Sequence, residues 1–305
     1  MIVLVKEWLK FFKAVYDKYL SPIGLITRQL NIIDSKLASL KELKQRKFLA
    51  RKLPALSKEQ KEILEELRGS GFCKTNLSTL KISDDLLVYL ENISQAEKMG
   101  YDEVASAQSL ANKKYWTDLG SDAQENFLNL DPILKNKFLL DIISHYIGQI
   151  PTFGGFRYLY SPPFPVSKTL SGSQNWHLDN HHKNVLKLFF SPFPIGKMNG
   201  PTQVLPSDLS TKRHYTKYPH YMVDDELRRQ GVRESDQHFL TSEPGEIYLV
   251  DTSRCLHCGS RNEMPRHLAI ASFQSMERYI PRWSVDKLAL ATTLDVNKKI
   301  IELYS

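Results

Sequence analysis

The texture of the chain changes at Gly148, and the residues beyond it limit the fold more than any other feature of the 305. Short apolar, β-branched or aromatic runs appear, parted by Pro, Gly and Asn: Gly155 to Tyr160, Asn175 to Asp179, Val185 to Phe190, Thr202 to Leu205, Glu246 to Thr252 and His267 to Phe273. Runs this short, with turn residues between them, read as strands, and several in series suggest a double-sheet jelly roll or barrel. One connection breaks the rhythm. Ser207 to Phe239 is too long and too polar for a hairpin turn, so it reads as an insertion, about 207–239, carrying a short helix from Asp224 to Gln230. Such an insertion is either a lid over a site or a plain surface excursion.

Upstream of Gly148 the period is helical. Met1 to Leu20 places Leu4, Val5, Trp8, Leu9, Phe12, Val15, Tyr16, Tyr19 and Leu20 at amphipathic spacing, and Ser21-Pro22 ends the run. Further helices are expected over about Leu25 to Leu49 and over Lys58 to Arg68, the latter with Ser57 as N-cap and Gly69 as stop. Phe72 to Ile82 reads as irregular or weakly extended, Asp84 to Glu97 as a helix, and Asp102 to Asn112 as mixed. Asp131-Pro132 opens a helix to about Ile147, apolar at Leu134, Phe138, Leu139, Ile142 and Ile143, of the kind that braces the outer face of a sheet. The expected architecture is α+β: a double-stranded β-helix core, jelly-roll and cupin-like, wrapped by helices. A basic helical N-terminal region over 1–100 precedes the main domain over 101–305.

The net charge of +7 is unevenly placed. Residues 1–52 hold twelve Lys or Arg against Glu7, Asp17, Asp34 and Glu42, a balance of 12 − 4 = +8, which leaves 7 − 8 = −1 for the rest. A helix with aromatic residues on one face and lysines on the other fits an anionic membrane surface. It equally fits a brace that packs its aromatic face on the main domain. Lys6, Glu7, Lys10 and Lys13 interrupt Met1 to Leu20, so it is neither a signal peptide nor a membrane span. Three cysteines make no disulfide framework, which favours a reducing, cytoplasmic location, with peripheral membrane contact through residues 1–52 as the added expectation. No base-reading motif accompanies the basic charge, so nucleic acid is not expected as a partner.

The chemistry begins at Asn175-Trp176-His177-Leu178-Asp179. In an extended segment, side chains two apart share a face, so His177 and Asp179 converge. An imidazole and a carboxylate so placed are two thirds of the 2-His-1-carboxylate set that holds Fe(II) with open positions. A His-x-Asp tripeptide alone is common by chance, but three later features join it. Asn199-Gly200-Pro201-Thr202-Gln203-Val204-Leu205-Pro206 is a tight turn feeding a short strand; Gly245 to Asp251 is a strand that delivers His257; Arg266 opens the strand His267 to Phe273.

Together these features resemble the phytanoyl-CoA dioxygenase family of iron- and 2-oxoglutarate-dependent oxygenases, over about residues 154–274. The resemblance implies Fe(II) held by His177, Asp179 and His257, with 2-oxoglutarate and O₂ as co-reactants. It also implies that Arg266, 266 − 257 = 9 positions after His257, binds the far carboxylate of 2-oxoglutarate, because a planar guanidinium matches two oxygens. Arg261, in the Gly259 to Pro265 turn, is its rival. Phe189 would lie against the cosubstrate, and Lys187 on the same face would meet an acidic group. His181 would line the pocket mouth with His182 facing away, and Arg157 and Trp176 are further candidates to touch substrate. Cys255 and Cys258 flank His257 like half a zinc site, but only Cys73 remains as a thiol elsewhere, so both are expected to pack as small apolar residues. The activity implied is decarboxylation of 2-oxoglutarate to succinate and CO₂, coupled to hydroxylation of a small-molecule or lipid-like substrate. A desaturating or ring-forming oxygenase with the same triad is one alternative, and a non-catalytic jelly-roll binding protein is another.

Overall fold

The structure is a computed structural model that describes residues 37–95, 117–119, 129–163, 169–179, 182–210, 221–277 and 287–305, with side chains of the last segment described from 295. The chain divides into two compact units, 1–48 and 49–305. In the first, residues 37–48 are described and are helical. The amphipathic stretch Met1 to Leu20 and the mixed stretch Asp102 to Asn112 lie outside the described residues.

Alternation decides the architecture of the second unit. Nine strands are described: β1 (Phe72–Asn76), β2 (Thr117–Asp118), β3 (Thr152–Ser161), β4 (Val185–Phe190), β5 (Gln203–Val204), β6 (His238–Phe239), β7 (Glu246–Asp251), β8 (His257–Cys258) and β9 (Arg266–Gln274). Six form an antiparallel sheet in the order β1-β7-β4-β9-β3-β2, and three form a smaller sheet in the order β6-β5-β8. Directly opposed residues share a face, so register alone defines two surfaces on the large sheet. Leu186, Leu188, Phe190, Leu249, Ala269, Ala271 and Phe273 point outward into the main core. Phe189, Tyr248, Val250 and Leu268 point inward, where they meet Ile195, Val204 and Leu240 on the side of the small sheet. Two sheets facing across an apolar interior make the jelly roll.

Helices cover the outer face. Lys58–Ser70 begins with the capping box of Ser57 and Gln60, and buries Ile63, Leu64 and Leu67. It ends not at Gly69 but at Gly71, which adopts φ +87, where a Cβ would fall 2.4 Å from Cys255 Sγ. The helix expected from Asp131 to Ile147 is two helices, Asp131–Leu134 and Lys137–Ile147. Asn136 divides them: its Oδ1 accepts from Leu139 N, capping the second helix, while Nδ2 donates to Leu80 O at 2.8 Å and Lys81 O at 3.1 Å. Lys287–Glu302 packs Val296 and Ile300 into the same core, and Asn297 Oδ1 accepts from Phe153 N.

Two further expectations are refined. Of the irregular or weakly extended stretch expected from Phe72 to Ile82, Phe72 to Asn76 takes the extended alternative, as an edge strand paired along its length with β7. The large sheet therefore draws a strand from the region expected to precede the main domain. The insertion's helix, Asp224–Arg229, does not cover the inner face. Leu227 packs with Trp176, Leu205, Met222, Val232, Leu256 and Cys258 behind the small sheet, because Leu205, Leu256 and Cys258 alternate with inward-facing neighbours. Residues 211–220 of the insertion lie outside the described residues. Among the described residues, no helix is long and apolar enough to cross a membrane.

Candidate metal centre

Two loops and one extended segment bring the site together. Asn175 to Asp179 forms no full strand but docks by paired backbone bonds. His177 N donates to His257 O and His257 N to His177 O, both at 3.0 Å, and Trp176 exchanges the same pair with Met222 on the other side. Asp179 N donates to Thr252 O at 2.8 Å, fixing the end of the segment. The loop that carries His257 is held by polar contacts. Tyr146 Oη donates to Asp251 Oδ2 at 2.8 Å, Arg254 Nη1 to Tyr146 Oη at 2.9 Å, and Arg254 Nη2 to Ser207 Oγ at 3.1 Å. Leu256 N donates to Ser210 Oγ at 2.9 Å. The start of the insertion thus serves as a buttress for His257.

His177, Asp179 and His257 offer ligand atoms that all lie within 4.8 Å of one another, and theirs is the one such group among the described residues. Each imidazole has Nδ1 against a carbonyl two residues back: His177 against Asn175 O at 2.9 Å, His257 against Cys255 O at 3.1 Å. A carbonyl accepts only, so Nδ1 carries the proton and Nε2 presents its lone pair to the shared space. Burial, with His177 close by, pushes the His257 imidazolium down to about 3, and burial lowers His177 also. Burial alone would raise the Asp179 carboxyl, but Lys187 and the two histidines hold it below the usual carboxylate range. Two neutral imidazoles and an ionised carboxylate are the protonation states a divalent cation requires. Lys187 Nζ sits 2.6 Å from Asp179 Oδ2, the oxygen that also lies 3.5 Å from His257 Nε2.

Deeper in the interior lies Arg266, almost fully buried, with Nη1 donating to Gly200 O and Nη2 to Ser260 Oγ, both at 2.6 Å. Its Nε has no hydrogen-bond partner and, among the described residues, no acid pairs with it. Burial pushes this guanidinium down to about 10. A buried cation without a counter-charge is costly and calls for an anion. Its cradle is built closely. A Cβ on Gly259 would lie 3.5 Å from both Arg266 Nη1 and Thr202 Oγ1, and Ser260 holds a left-handed φ of 56° that few non-glycine residues adopt. Arg261 is engaged elsewhere: Nη1 grips both oxygens of Asp224 at 2.9 Å, and Nε donates to Gln174 O at 2.7 Å.

The other expected residues divide. Phe189 faces the inner cavity with Thr202, Leu240, Tyr248 and Leu268. Arg157, opposite Ile270 in β9, is on that same sheet face at the half-exposed rim, paired with Asp118 at 3.0 Å. Trp176 does not reach the triad: one residue from His177, it points the other way, fully buried, with Nε1 donating to Asp224 Oδ1 at 2.7 Å. His181 lies outside the described residues. His182 is buried and turned away, with Nδ1 2.6 Å from Ser275 O. The three cysteines are free and buried in three separate clusters, Cys73, Cys255 and Cys258 each in its own, as small apolar residues pack. Sequence reading missed Tyr221, whose ring centroid lies 5.5 Å from that of His177, and Ser260 and the Gly200 carbonyl that cradle Arg266. Tyr221 lies in the middle of a long polar insertion and had no periodic signal to mark it.

The sequence matches no protein-family model and no curated protein. Solved structures do match. EctD from S. alaskensis, determined with 2-oxoglutarate and 5-hydroxyectoine, is 16% identical over 74% of this chain and 82% of its own, with a TM-score of 0.52. The two chains share a fold. EvdO2 from Micromonospora carbonacea var. aurantiaca, known also in complex with 2-oxoglutarate, is 14% identical over 76% of this chain and 98% of its own, at a TM-score of 0.49. The non-heme α-ketoglutarate-dependent epimerase SnoN from nogalamycin biosynthesis is 10% identical over 71% and 80%, at 0.45.

Proposed function

We propose that the chain is an Fe(II)- and 2-oxoglutarate-dependent oxygenase that hydroxylates a C–H bond of a small-molecule or lipid-like substrate, in the manner of the phytanoyl-CoA dioxygenase family that its motifs resemble. The observation that carries this reading is the triad: two imidazoles with Nδ1 already satisfied, and one ionised carboxylate, all aimed at one point. The buried charge of Arg266 supports it from the other end, since a dicarboxylate reaching from the metal supplies the missing anion. EctD, which shares the fold, was solved with 2-oxoglutarate.

Bound iron would supply the activation of O₂, with 2-oxoglutarate giving up two electrons as it becomes succinate and CO₂. The chain's own residues bind and orient. His177, Asp179 and His257 would hold the metal and leave room for the cosubstrate and O₂. Arg266, braced by Ser260 Oγ and Gly200 O, fixes the far carboxylate so that the keto acid approaches in one orientation. Phe189, Tyr248 and Leu268 keep water from that stretch of the interior. No side chain need act as a general base.

The test is spectroscopic. Under anaerobic conditions the protein with Fe(II) and 2-oxoglutarate together should develop the weak visible charge-transfer band of a chelated keto acid, and neither alone should produce it. Absence of the band at saturating concentrations would sink the oxygenase reading and leave a jelly-roll binding protein.

A further inference from the structure

Lys187 is inward-facing and set against the triad, and beyond keeping Asp179 ionised it has no part in holding the metal or the cosubstrate. It lies on β4 opposite Val250 of β7 and Ser272 of β9, and Ser272 is opposite Gly155 of β3. These four residues therefore share the face that carries Phe189 and Arg157. On the β7 side the wall is apolar: Val250 and then Phe72. On the β9 side it is low, because Ser272 is small and a Cβ placed on Gly155 would meet nothing within 4 Å. Among the described residues, an open strip thus leads from the ammonium toward Arg157 at the rim. The described residues give Lys187 a single acidic partner, Asp179.

That partner is also the metal ligand. While the triad is empty, Asp179 and Lys187 neutralise each other, as a buried pair must. A divalent cation on Asp179 takes that charge away from Lys187. Counting formal charges, the cation brings two positive and 2-oxoglutarate two negative. Asp179 contributes one negative, Lys187 and Arg266 one positive each, and one positive charge is left over, at Lys187. An uncompensated ammonium in a partly buried site is unfavourable, and it points to an anion arriving from the open side.

We propose that Lys187 reads an acidic group on the substrate, so that this oxygenase acts on a carboxylate or a comparable monoanion lying along the strip beside Ser272 and Gly155. The inference rests on the oxygenase reading and narrows its substrate class. Lys187 is a specificity-determining residue that becomes available only when a metal occupies Asp179.

Matched probes test it: butanoate, hexanoate and octanoate, each against its primary amide. Binding is measured by calorimetry on protein loaded with redox-inert Zn(II) and 2-oxoglutarate, and again on metal-free protein. A hydrogen bond to a charged group corresponds to about a ten- to 150-fold preference for acid over amide. The loaded wild type should show that preference, K187R should keep most of it, and K187M should lose it. Metal-free protein should show none, because Asp179 then holds the ammonium. Equal binding of acids and amides to the loaded protein, including no binding of either, overturns the proposal. So does a preference that survives in K187M, or a K187M protein that loses affinity for 2-oxoglutarate instead. Thermal melts of both variants check their folding. The anaerobic Fe(II)–2-oxoglutarate band separates the two levels: a band without acid preference removes this inference alone, and no band removes the oxygenase reading with it.

Discussion

Arg266 and Arg261 stand five positions apart, and their surroundings assign them different work. Arg261 commits its charge to Asp224, whereas Arg266 is buried among neutral acceptors. Arg266→Ala should therefore weaken 2-oxoglutarate about ten- to 150-fold, the worth of a charge-assisted hydrogen bond, as read by titrating the anaerobic band. Arg261→Ala should leave that titration unchanged, and the reverse pattern would exchange the two roles. The histidines make a pH prediction. His257 titrates near 3 in the fold against about 6.5 in an unfolded chain. Its folded value is depressed, so the neutral form is favoured by folding. That contribution is fully present above about 6.5 and is lost as pH falls toward 3. Two unshifted histidines would lose about 100-fold in metal affinity between pH 7.5 and 5.5, since the neutral fraction of each falls about tenfold. Here Co(II) affinity, followed by its visible absorption, should change less than about tenfold over that range, because His257 stays neutral throughout and His177 is shifted in the same direction. The convergence of His177 and Asp179 was legible from the period of two, whereas Trp176, expected to touch substrate, is instead buried against Asp224. What a linear sequence did not carry is that Lys187 would reach across to Asp179, because that contact joins two segments that are not hydrogen-bonded neighbours.

Between residue and molecule stands the insertion, whose helix Asp224–Arg229 acts as a clasp on the triad segment. Asp224 accepts from Trp176 Nε1 and from Arg261, so one carboxylate ties the residue beside His177 to the turn ahead of Arg266. Asp224→Ala strands the Trp176 indole N–H, fully buried, and should cost about 1–3 kcal/mol in urea unfolding. An unchanged midpoint would mean that water substitutes for the carboxylate and that the clasp is decorative. Most strands from β3 onward were readable, because short apolar runs set between turn residues are local information. The failures share one cause. β1 is five residues long, and only its pairing with β7 makes Phe72–Asn76 a strand. The helix before it runs past Gly69 and stops at Gly71, which turns left-handed and whose lack of a side chain leaves room for Cys255 and Ser207 from distant parts of the chain. Asn136 interrupts an apolar helical pattern by donating to Leu80 and Lys81 carbonyls more than fifty positions away. Where the deciding neighbour is remote, local propensity carries no trace of it.

For the molecule as a whole, the site is a place where stability has been given up for binding. A buried guanidinium that has no counter-ion among the described residues and a left-handed Ser260 each disfavour the empty fold. Such a fold should be strongly stabilised when its ligands arrive, and the two ligands should help each other. In the proposed reading a metal would hold one end of 2-oxoglutarate and Arg266 the other, so each would make the other's binding more favourable, and linkage makes that coupling reciprocal. At a hundredfold excess over Kd a ligand adds about 2.7 kcal/mol. For a domain of this size each kcal/mol moves Tm by roughly 2–4 °C, so either full ligand effect amounts to about 5–11 °C. Melting curves should therefore show a clear rise with Zn(II) alone, little or none with 2-oxoglutarate alone, and with both a rise larger than the sum. In Arg266→Ala the metal shift should persist while the further rise with 2-oxoglutarate disappears. In His257→Ala both should vanish. A shift with 2-oxoglutarate that is the same with and without metal would show that the keto acid is not bound through the triad, and the coupling between Arg266 and the metal ligands would have to be abandoned.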